Sequence, residues 1–250
     1  MSWALRFLGV GNAQAVELGS ASAVLERDGE PWLMIDCGGE ALTAYLAHYG
    51  GWPEAIFLTH THLDHVGGME RLFFGTWFDP QRRGRTTLYV PALLVPWLQM
   101  RIADYPGVLA EGGVNYWDAF RLVPHARGFW HRDYWFDSFP VRHHQPDTAF
   151  GLGLRGSFVY SGDTRPIPEM LARYAGRGEI VAHDCALSGN PSHSGIDDLE
   201  REYPPELLSR LRLYHYGSRS DGEALLARGH AIVRPGERVE LPLPHASEAR

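Results

Sequence analysis

The sequence predicts a single α/β domain, residues 1–250, in which β-sheets are covered by helices. Short apolar runs bounded by glycine and proline alternate with stretches of helical spacing. Hydrophobic residues make up 44% of the chain, which is enough for a sizeable core. No internal repeat, low-complexity tract or proline- and serine-rich linker divides it.

The apolar runs predict nine strands, at residues 4–10, 22–26, 32–35, 55–59, 87–90, 151–154, 158–160, 180–182 and 211–214. Helical spacing of apolar residues, with proline near the start of several segments, predicts helices at residues 66–73, 91–100 and 167–174, and one within residues 196–213, with 204–211 as the preferred span. Residues 101–140 fit neither pattern and are rich in aromatic side chains. They are interpreted as a packed insertion or subunit interface, or as a wall that stacks on a substrate base.

Charge and cysteine content narrow the classes of protein. The net charge of −7 gives no overall basic field for nucleic acid, and the basic run Gln81–Arg85 is interpreted as a solvated loop, with a binding role as the alternative. Cys37 and Cys185 are too few for a disulfide framework and are predicted to be buried free thiols.

The first residues lack a signal peptide's apolar run, and no stretch approaches the ~20 apolar residues of a membrane span. We therefore expect a soluble cytoplasmic protein with no membrane partner.

One segment, LTHTHLDHVGG at residues 58–68, concentrates metal-binding side chains just after a predicted strand. His60 and His62 point to the same side of an extended chain and can reach one ion. Asp64 and His65 follow as the chain turns into a helix, which aims them at a second point. Gly67 and Gly68 allow that helix to pack closely on neighbouring backbone. Imidazole and carboxylate ligands suit Zn²⁺, although Mn²⁺ or Fe would also fit.

Three later segments complete a longer pattern: RHHQPD at 142–147, FVYSGDT at 158–164 and LRLYHYGS at 211–218. With FLGVGNA at 7–13 and MIDCGG at 34–39, these segments make the chain resemble the metallo-β-lactamase superfamily over nearly its whole length. The resemblance implies a four-layer αββα sandwich and a site for two divalent metal ions.

The resemblance also implies a ligand set. One ion would take His60, His62 and His144, the other would take Asp64, His65 and His215, and Asp163 would bridge them. His143 competes with His144 for the third position. His144 is preferred because of its distance from the aromatic-glycine pair Phe150–Gly151.

The remaining site residues would act around these ligands. Metal-bound hydroxide, available near neutral pH, would attack the substrate. Asp64 could orient this hydroxide as well as bind metal. Asp36, after the MID strand, is predicted to fix an imidazole, with a turn-initiating role as the alternative. His143 and His183 are further residues expected to support the ligands, and a purely buried role is open for His183.

Local motifs point to one branch of the superfamily. The third segment lacks the P-G-H-T-x-G pattern of many thioesterases and lactamases, whereas FLGVGNA and VYSGDT are similar to ribonuclease Z and small phosphodiesterases. That branch carries a His-Ser element, matched here by PSHSG at 191–195. It implies that His193 contacts the phosphate or protonates the leaving oxygen; a surface turn capped by Ser194 is the alternative.

The chain departs from ribonuclease Z in one respect. Only 18 residues separate His144 from Asp163, which leaves no room for a tRNA-binding arm. The expected substrate is therefore a small phosphodiester, such as a cyclic nucleotide or cyclic sugar phosphate, and not tRNA. Hydrolysis of a β-lactam, lactone or thioester is the first alternative, and a non-catalytic regulatory protein is the second. The resemblance also implies a homodimer.

Overall fold

The computed structural model describes residues 1–245, and residues 246–250 of the predicted domain lie outside the described part. Thirteen strands form two sheets. The seven-stranded sheet has the order β13-β1-β2-β3-β4-β5-β6, and the six-stranded sheet has the order β12-β11-β10-β9-β8-β7. The strands β1 to β13 span Trp3–Gly9, Ser22–Arg27, Glu30–Ile35, Ala55–Phe57, Thr87–Pro91, Arg121–His125, Gly128–His131, Tyr134–Pro140, Phe150–Leu154, Phe158–Tyr160, Ile180–Asp184, Leu211–Tyr214 and Arg238–Leu241.

Eight α-helices accompany the sheets. Helices α1 to α8 span Ala41–Tyr49, Leu63–Val66, Met69–Trp77, Val95–Leu98, Pro168–Tyr174, Ile196–Glu202, Pro205–Leu208 and Arg219–Ala227. Buried residues from both sheets and from the helices belong to one hydrophobic core. This arrangement agrees with the predicted sandwich.

All nine predicted strands are confirmed. The sequence missed β6, β7, β8 and β13, and it missed helices α1 and α8. The predicted helix at 91–100 is irregular: Pro91 ends β5, a 3-10 turn precedes α4, and a π-helical turn follows at Gln99–Ala103. The helical pattern within 196–213 corresponds to two short helices, α6 and α7, and the preferred span 204–211 is limited to α7, because β12 already begins at Leu211.

The aromatic stretch at 101–140 is mostly core, so the interpretation as a wall beside the substrate is wrong for most of its rings. Phe129 on β7 lies between Phe57 and Phe136, with ring centroids 5.8 and 5.4 Å away. Stacked rings of this kind join the two sheets, because Phe57 belongs to β4 and Phe136 to β8. The packed-insertion interpretation is therefore the better one.

Two minor predictions concern the surface and the thiols. The basic run at 81–85 is an exposed turn in which Arg82 and Arg83 lie over the rings of Trp52 and Trp77. Cys37 and Cys185 are free and buried, and burial raises the pKa of the Cys37 thiol to about 12. Within residues 1–245, the helices are all too short or too polar to cross a bilayer.

Parallel pairing sets the position of the site. Strands β3, β4, β5 and β6 are parallel neighbours in one sheet, as are β10, β11 and β12 in the other. The carboxyl ends of parallel neighbours meet at one edge of a sheet, where ligand sites are usually found. Most of the predicted metal-binding residues follow β4, β10 and β12 at these ends, whereas His143 and His144 follow the antiparallel strand β8.

Candidate metal centre

The H-x-H-x-D-H segment runs from the end of β4 into the short helix α2. Two backbone hydrogen bonds dock this turn on the loop after β3: Cys37 N–H donates to the His65 carbonyl at 2.7 Å, and Gly68 N–H donates to the Cys37 carbonyl at 2.8 Å. A Cβ on Gly68 would lie 2.6 Å from the Gly38 carbonyl oxygen. Glycine is thus required by close backbone approach, as the sequence predicted for this residue.

The structure brings two groups of metal-ligating side chains together. The first group consists of His60, His62, His143 and Asp163, and the second of Asp64, His65, Asp163 and His215. In each group, one candidate ligand atom per residue lies within 4.8 Å of the others.

Asp163 belongs to both groups. Its Oδ2 lies 3.6 Å from His60 Nε2, 3.3 Å from His65 Nε2 and 3.1 Å from His215 Nε2. One carboxylate therefore stands between imidazoles of both groups, which is the place expected of a bridging ligand.

The third histidine of the first group is His143, which differs from the preference for His144. His143 is buried, its Nδ1 lies 3.0 Å from the Ser192 carbonyl oxygen, and its Nε2 lies 3.3 Å from His62 Nδ1. His144 is exposed and borders the group from outside, with Nε2 3.2 Å from His62 Nε2 and Nδ1 3.0 Å from Ser192 Oγ. The Ser192 carbonyl fixes the ring of His143 toward the group, and no spacing rule along the chain encodes that contact.

Asp36 holds the turn that carries the first histidines. Its Oδ1 accepts a hydrogen bond from Thr59 N–H at 2.7 Å, and its Oδ2 accepts one from the Thr59 hydroxyl at 2.7 Å. Oδ2 also lies 2.7 Å from His65 Nδ1, which directs His65 Nε2 toward Asp163. The fully buried Asp36 adopts a left-handed φ of 60°, a strained conformation that costs about 1–3 kcal/mol.

Asp184 is a site residue that sequence reasoning missed. It ends β11, is fully buried, and its Oδ2 lies 2.8 Å from His193 Nδ1 while accepting Thr164 N–H at 2.8 Å. Its Oδ1 lies 3.4 Å from His215 Nδ1. Asp184, His193 and His215 form a third group of this kind. The available signal was a lone aspartate at the end of an apolar strand, the same pattern that marked Asp36.

His215 and His193 are held firmly beside each other. His215 has a left-handed φ of 70°, and its N–H donates to the Val10 carbonyl at 2.6 Å, which ties the end of β12 to β1. The His193 and His215 rings stack with centroids 4.9 Å apart. His193 therefore lies beside His215 of the second group, and its contact with the phosphate stays a prediction.

His183 does not support the ligands, contrary to the prediction. It precedes Asp184 on β11, so its side chain points to the opposite face of the sheet. Its Nε2 lies 2.7 Å from the Tyr203 hydroxyl, and that hydroxyl accepts Ile167 N–H at 2.8 Å. His183 is thus a buried residue that joins β11 to the packing around α5 and α6.

The pKa values of the site residues are shifted because many polar groups are buried close together. Burial alone would raise the pKa of Asp163, but His215 and His65 outweigh burial and hold it well below its usual range. Burial lowers the pKa of His143 to about 4, which keeps that imidazole neutral and able to bind a cation. Burial would also lower the pKa of His193, yet the hydrogen bond and charge of Asp184 raise it.

The donor set fits divalent cations. Among residues 1–245, His65 Nε2, His215 Nε2 and Asp163 Oδ1 are buried without a hydrogen-bond partner. Buried polar atoms are almost always satisfied, and these three residues belong to one group of metal-ligating side chains, so a bound cation would satisfy them. Nitrogen and carboxylate oxygen are the ligands that Zn²⁺ and similar ions take in proteins.

Two cavities open beside these groups. One, of about 270 Å³, is lined by His60, Thr61, His62, Trp97, His143, His144, Gln145 and Thr148. The other, of about 310 Å³, is lined by Asn12, Ala13, Ala15, Val16, Ser20, Gly39, Glu40, Leu63, Asp64 and Gly67. A substrate at the metal groups thus has space on either side.

The fold and the ligand groups define a metal-dependent hydrolase of the metallo-β-lactamase fold. The metallo-β-lactamase fold protein YhfI from Bacillus subtilis matches with a TM-score of 0.72 at 12% identity, over 96% of this chain and 100% of that protein. A diphosphatase of the PhnP family matches with a TM-score of 0.72 at 18% identity, over 98% of this chain and 99% of that one. The predicted αββα fold is therefore confirmed.

Sequence comparison gives the family. The sequence profile described as Anti-Pycsar protein Apyc1 matches residues 3–238. The Anti-Pycsar protein Apyc1 of Saccharibacillus brassicae is 32% identical over 229 residues, which cover 87% of this chain and 91% of that protein. The chain belongs to the Anti-Pycsar protein Apyc1 family. The predicted resemblance and the predicted class of enzyme, a metal-dependent hydrolase of small phosphodiesters, are confirmed.

Proposed function

We propose that this chain is a single hydrolase domain that uses two divalent ions, zinc in the first instance, to cleave a small cyclic phosphodiester. A cyclic nucleotide and a cyclic sugar phosphate are the substrate types considered. The observation that carries the proposal is the position of Asp163 between two imidazole groups. A pair of adjacent ions suits phosphoryl chemistry, because both the attacking and the leaving oxygen need stabilisation.

The geometry supports one ligand set for each ion. His60, His62 and His143 would hold one ion, Asp64, His65 and His215 would hold the other, and Asp163 would contact both. Ions bound there would lower the pKa of water toward neutrality and offset negative charge on the phosphoryl group.

Protein groups supply positioning and proton transfer. Asp64 is partly exposed beside the second cavity, where its carboxylate orients the attacking water as well as binding metal. His193 has its Nδ1 held by Asp184, so its Nε2 is left to donate a proton to the leaving oxygen. Asp36 and Asp184 position His65 and His193 by accepting from their Nδ1 atoms, and Asp184 Oδ1 lies 3.4 Å from His215 Nδ1.

The short segment between two of the proposed ligands, His143 and Asp163, supports a small substrate. The segment from His143 to Asp163 holds β9 and β10 and no tRNA-binding arm. Together with the net charge of −7, this supports a diffusible phosphodiester in preference to tRNA.

The test is a substrate panel on protein loaded with Zn²⁺ or Mn²⁺. Cyclic nucleotides, cyclic sugar phosphates and bis-p-nitrophenyl phosphate are compared with nitrocefin and a thioester. We expect turnover of phosphodiesters only. Turnover confined to nitrocefin or the thioester would replace the proposal with a carbonyl hydrolase, and a metal content well below one ion per chain would favour a non-catalytic protein.

We also propose a homodimer that works in the reducing cytoplasm. Phe74 on α3 and Phe78 just after it are exposed and stacked. Leu93 and Met100 are also exposed, and Met100 belongs to the segment Gln99–Ala103, which α3 contacts. An apolar surface of this kind is typical of a subunit interface. Light scattering on the wild type and on Phe78→Asp tests it: a dimer that Phe78→Asp converts to monomer is expected, and a monomeric wild type would refute it.

The buried free thiols Cys37 and Cys185 support a reducing compartment.

A further inference from the structure

Trp97 is unusually placed for a tryptophan. Its neighbours Leu94 and Leu98 are fully buried and anchor α4 in the core, whereas Trp97 is 47% exposed. Tryptophan is highly buried on average, because its large ring gains much from leaving water. The helix is therefore fixed so that it presents an indole to solvent.

The indole faces the metal centre. Trp97 lines the cavity of about 270 Å³ together with His60, His62 and His143. A molecule whose phosphate lies at these imidazoles would place the rest of its atoms against the tryptophan. The cavity on the other side of the site has no aromatic residue in its lining. The two sides of the site thus differ in the chemistry they offer a substrate.

A polar group completes the same cavity. Gln145 lines it, and among residues 1–245 its carboxamide makes no hydrogen bond. Its main-chain carbonyl is fixed by the Thr148 hydroxyl at 2.7 Å, so the backbone is held while the amide is left free. A carboxamide offers both donors and an acceptor, which is the pattern on the edge of a nucleobase.

We propose that Trp97 and Gln145 form a nucleobase subsite, with the base stacked on the indole and its edge hydrogen-bonded to the carboxamide. Stacking on an aromatic side chain tolerates every base, so Trp97 supplies affinity and Gln145 supplies discrimination. This inference rests on the proposed function, since it assigns the side of the site that the base occupies.

The experiment compares Trp97→Ala, Trp97→Phe and Gln145→Ala with the wild type. Trp130→Ala is the matched control, since Trp130 is exposed to 44% on the edge strand β7 and is absent from the lining of both cavities. Steady-state kcat and KM are measured on cyclic nucleotides and on cyclic ribose phosphate, which lacks a base.

Loss of one stacking contact is expected to raise KM for cyclic nucleotides roughly tenfold in Trp97→Ala, with kcat within about twofold. Trp97→Phe should recover most of the loss, Gln145→Ala should alter the ranking among bases, and Trp130→Ala should behave as wild type. Cyclic ribose phosphate should be cleaved equally by all variants.

Two results would overturn the subsite: Trp97→Ala leaving KM for cyclic nucleotides unchanged, or raising KM equally for cyclic ribose phosphate. If the wild type cleaves no phosphodiester, the proposed function fails instead. Equilibrium titration of the wild type and Trp97→Ala with a cyclic nucleotide then still decides the subsite. Weaker binding by the variant would support it, and equal binding would refute it.

Discussion

Replacing Asp184 by asparagine tests whether this buried carboxylate acts through His193. Asparagine keeps the size of the side chain but removes its charge. Thr164 N–H and His193 Nδ1 share the same oxygen, Oδ2, so the amide oxygen can keep both contacts while the NH₂ takes the place of Oδ1, which faces His215. We expect His193 to be held more weakly, because its Nδ1 then faces a neutral amide oxygen in place of a carboxylate.

The size of the effect follows from the contact that is weakened. The 2.8 Å contact between Asp184 Oδ2 and His193 Nδ1 is charge-assisted and worth about 1.5–3 kcal/mol. If His193 donates its proton in the transition state, kcat should fall roughly 10- to 100-fold. KM and metal content should change little, because the Asp163 contacts of the ligands are retained.

The assay is a double-mutant cycle on kcat with Asp184→Asn, His193→Ala and the double variant, with bound metal measured in each. The double variant should be no slower than His193→Ala, since a positioning residue has no effect once its target is gone. Asp137→Asn, which changes a carboxylate paired with Arg155 outside the centre, is the control. Multiplicative losses, or a fall in bound metal in Asp184→Asn, would show that Asp184 acts through His215 or the fold instead.

Three further predictions concern ligands and stability. Asp163→Ala should abolish activity, lower metal content and remove the rise in Tm that metal gives the wild type; retained metal would contradict the shared position of Asp163. Asp36→Asn should weaken zinc affinity about 10- to 100-fold in a chelator competition, and activity should return at excess zinc if Asp36 only orients His65. Glu26 is buried, and burial alone would raise its pKa, but hydrogen bonds from Tyr49, Arg6 and Arg238 hold it below the usual range. The stability that Glu26 adds should be full above pH ~4.3 and shrink as pH falls further, so the difference in unfolding free energy between wild type and Glu26→Gln must narrow in acid; a constant difference would refute this.

The strands and the metal motif were predictable because each is encoded locally. The apolar runs are short and bounded by glycine or proline, and the ligands follow strands directly. Helix α1 carried a usable signal that was overlooked, the buried Leu42 and Tyr45 at helical spacing followed by Gly50 with a left-handed φ of 69°. Strands β6 to β8 were missed because their aromatic residues sit in a region without a clear alternating pattern.

The choice between His143 and His144 could not be made from the chain alone. Both residues precede Phe150–Gly151 by nearly the same distance, so spacing hardly separates them. In the structure, Ser192 contacts both rings, but His143 is buried and joins the first group whereas His144 is exposed. Trp97 was missed for a related reason: one exposed residue on an apolar helix is identified only when the neighbouring cavity is known.

Two aspartates at the ends of parallel strands explain why the geometry of the site depends on how the strands pair and not on the H-x-H-x-D-H motif alone. Asp36, after β3, accepts the Thr59 N–H that follows β4, and Asp184, at the end of β11, accepts the Thr164 N–H that follows β10. In each sheet, the aspartate at the end of one strand thus fixes the loop that follows the parallel neighbouring strand. The same carboxylate also holds an imidazole, which is His65 for Asp36 and His193 for Asp184. The positions of His60 and Asp163 then depend on strand register, because a slip of one residue would turn each aspartate to the opposite face. The ligand residues can be predicted from the sequence, but only correct pairing of β3 with β4 and of β10 with β11 brings them to one centre.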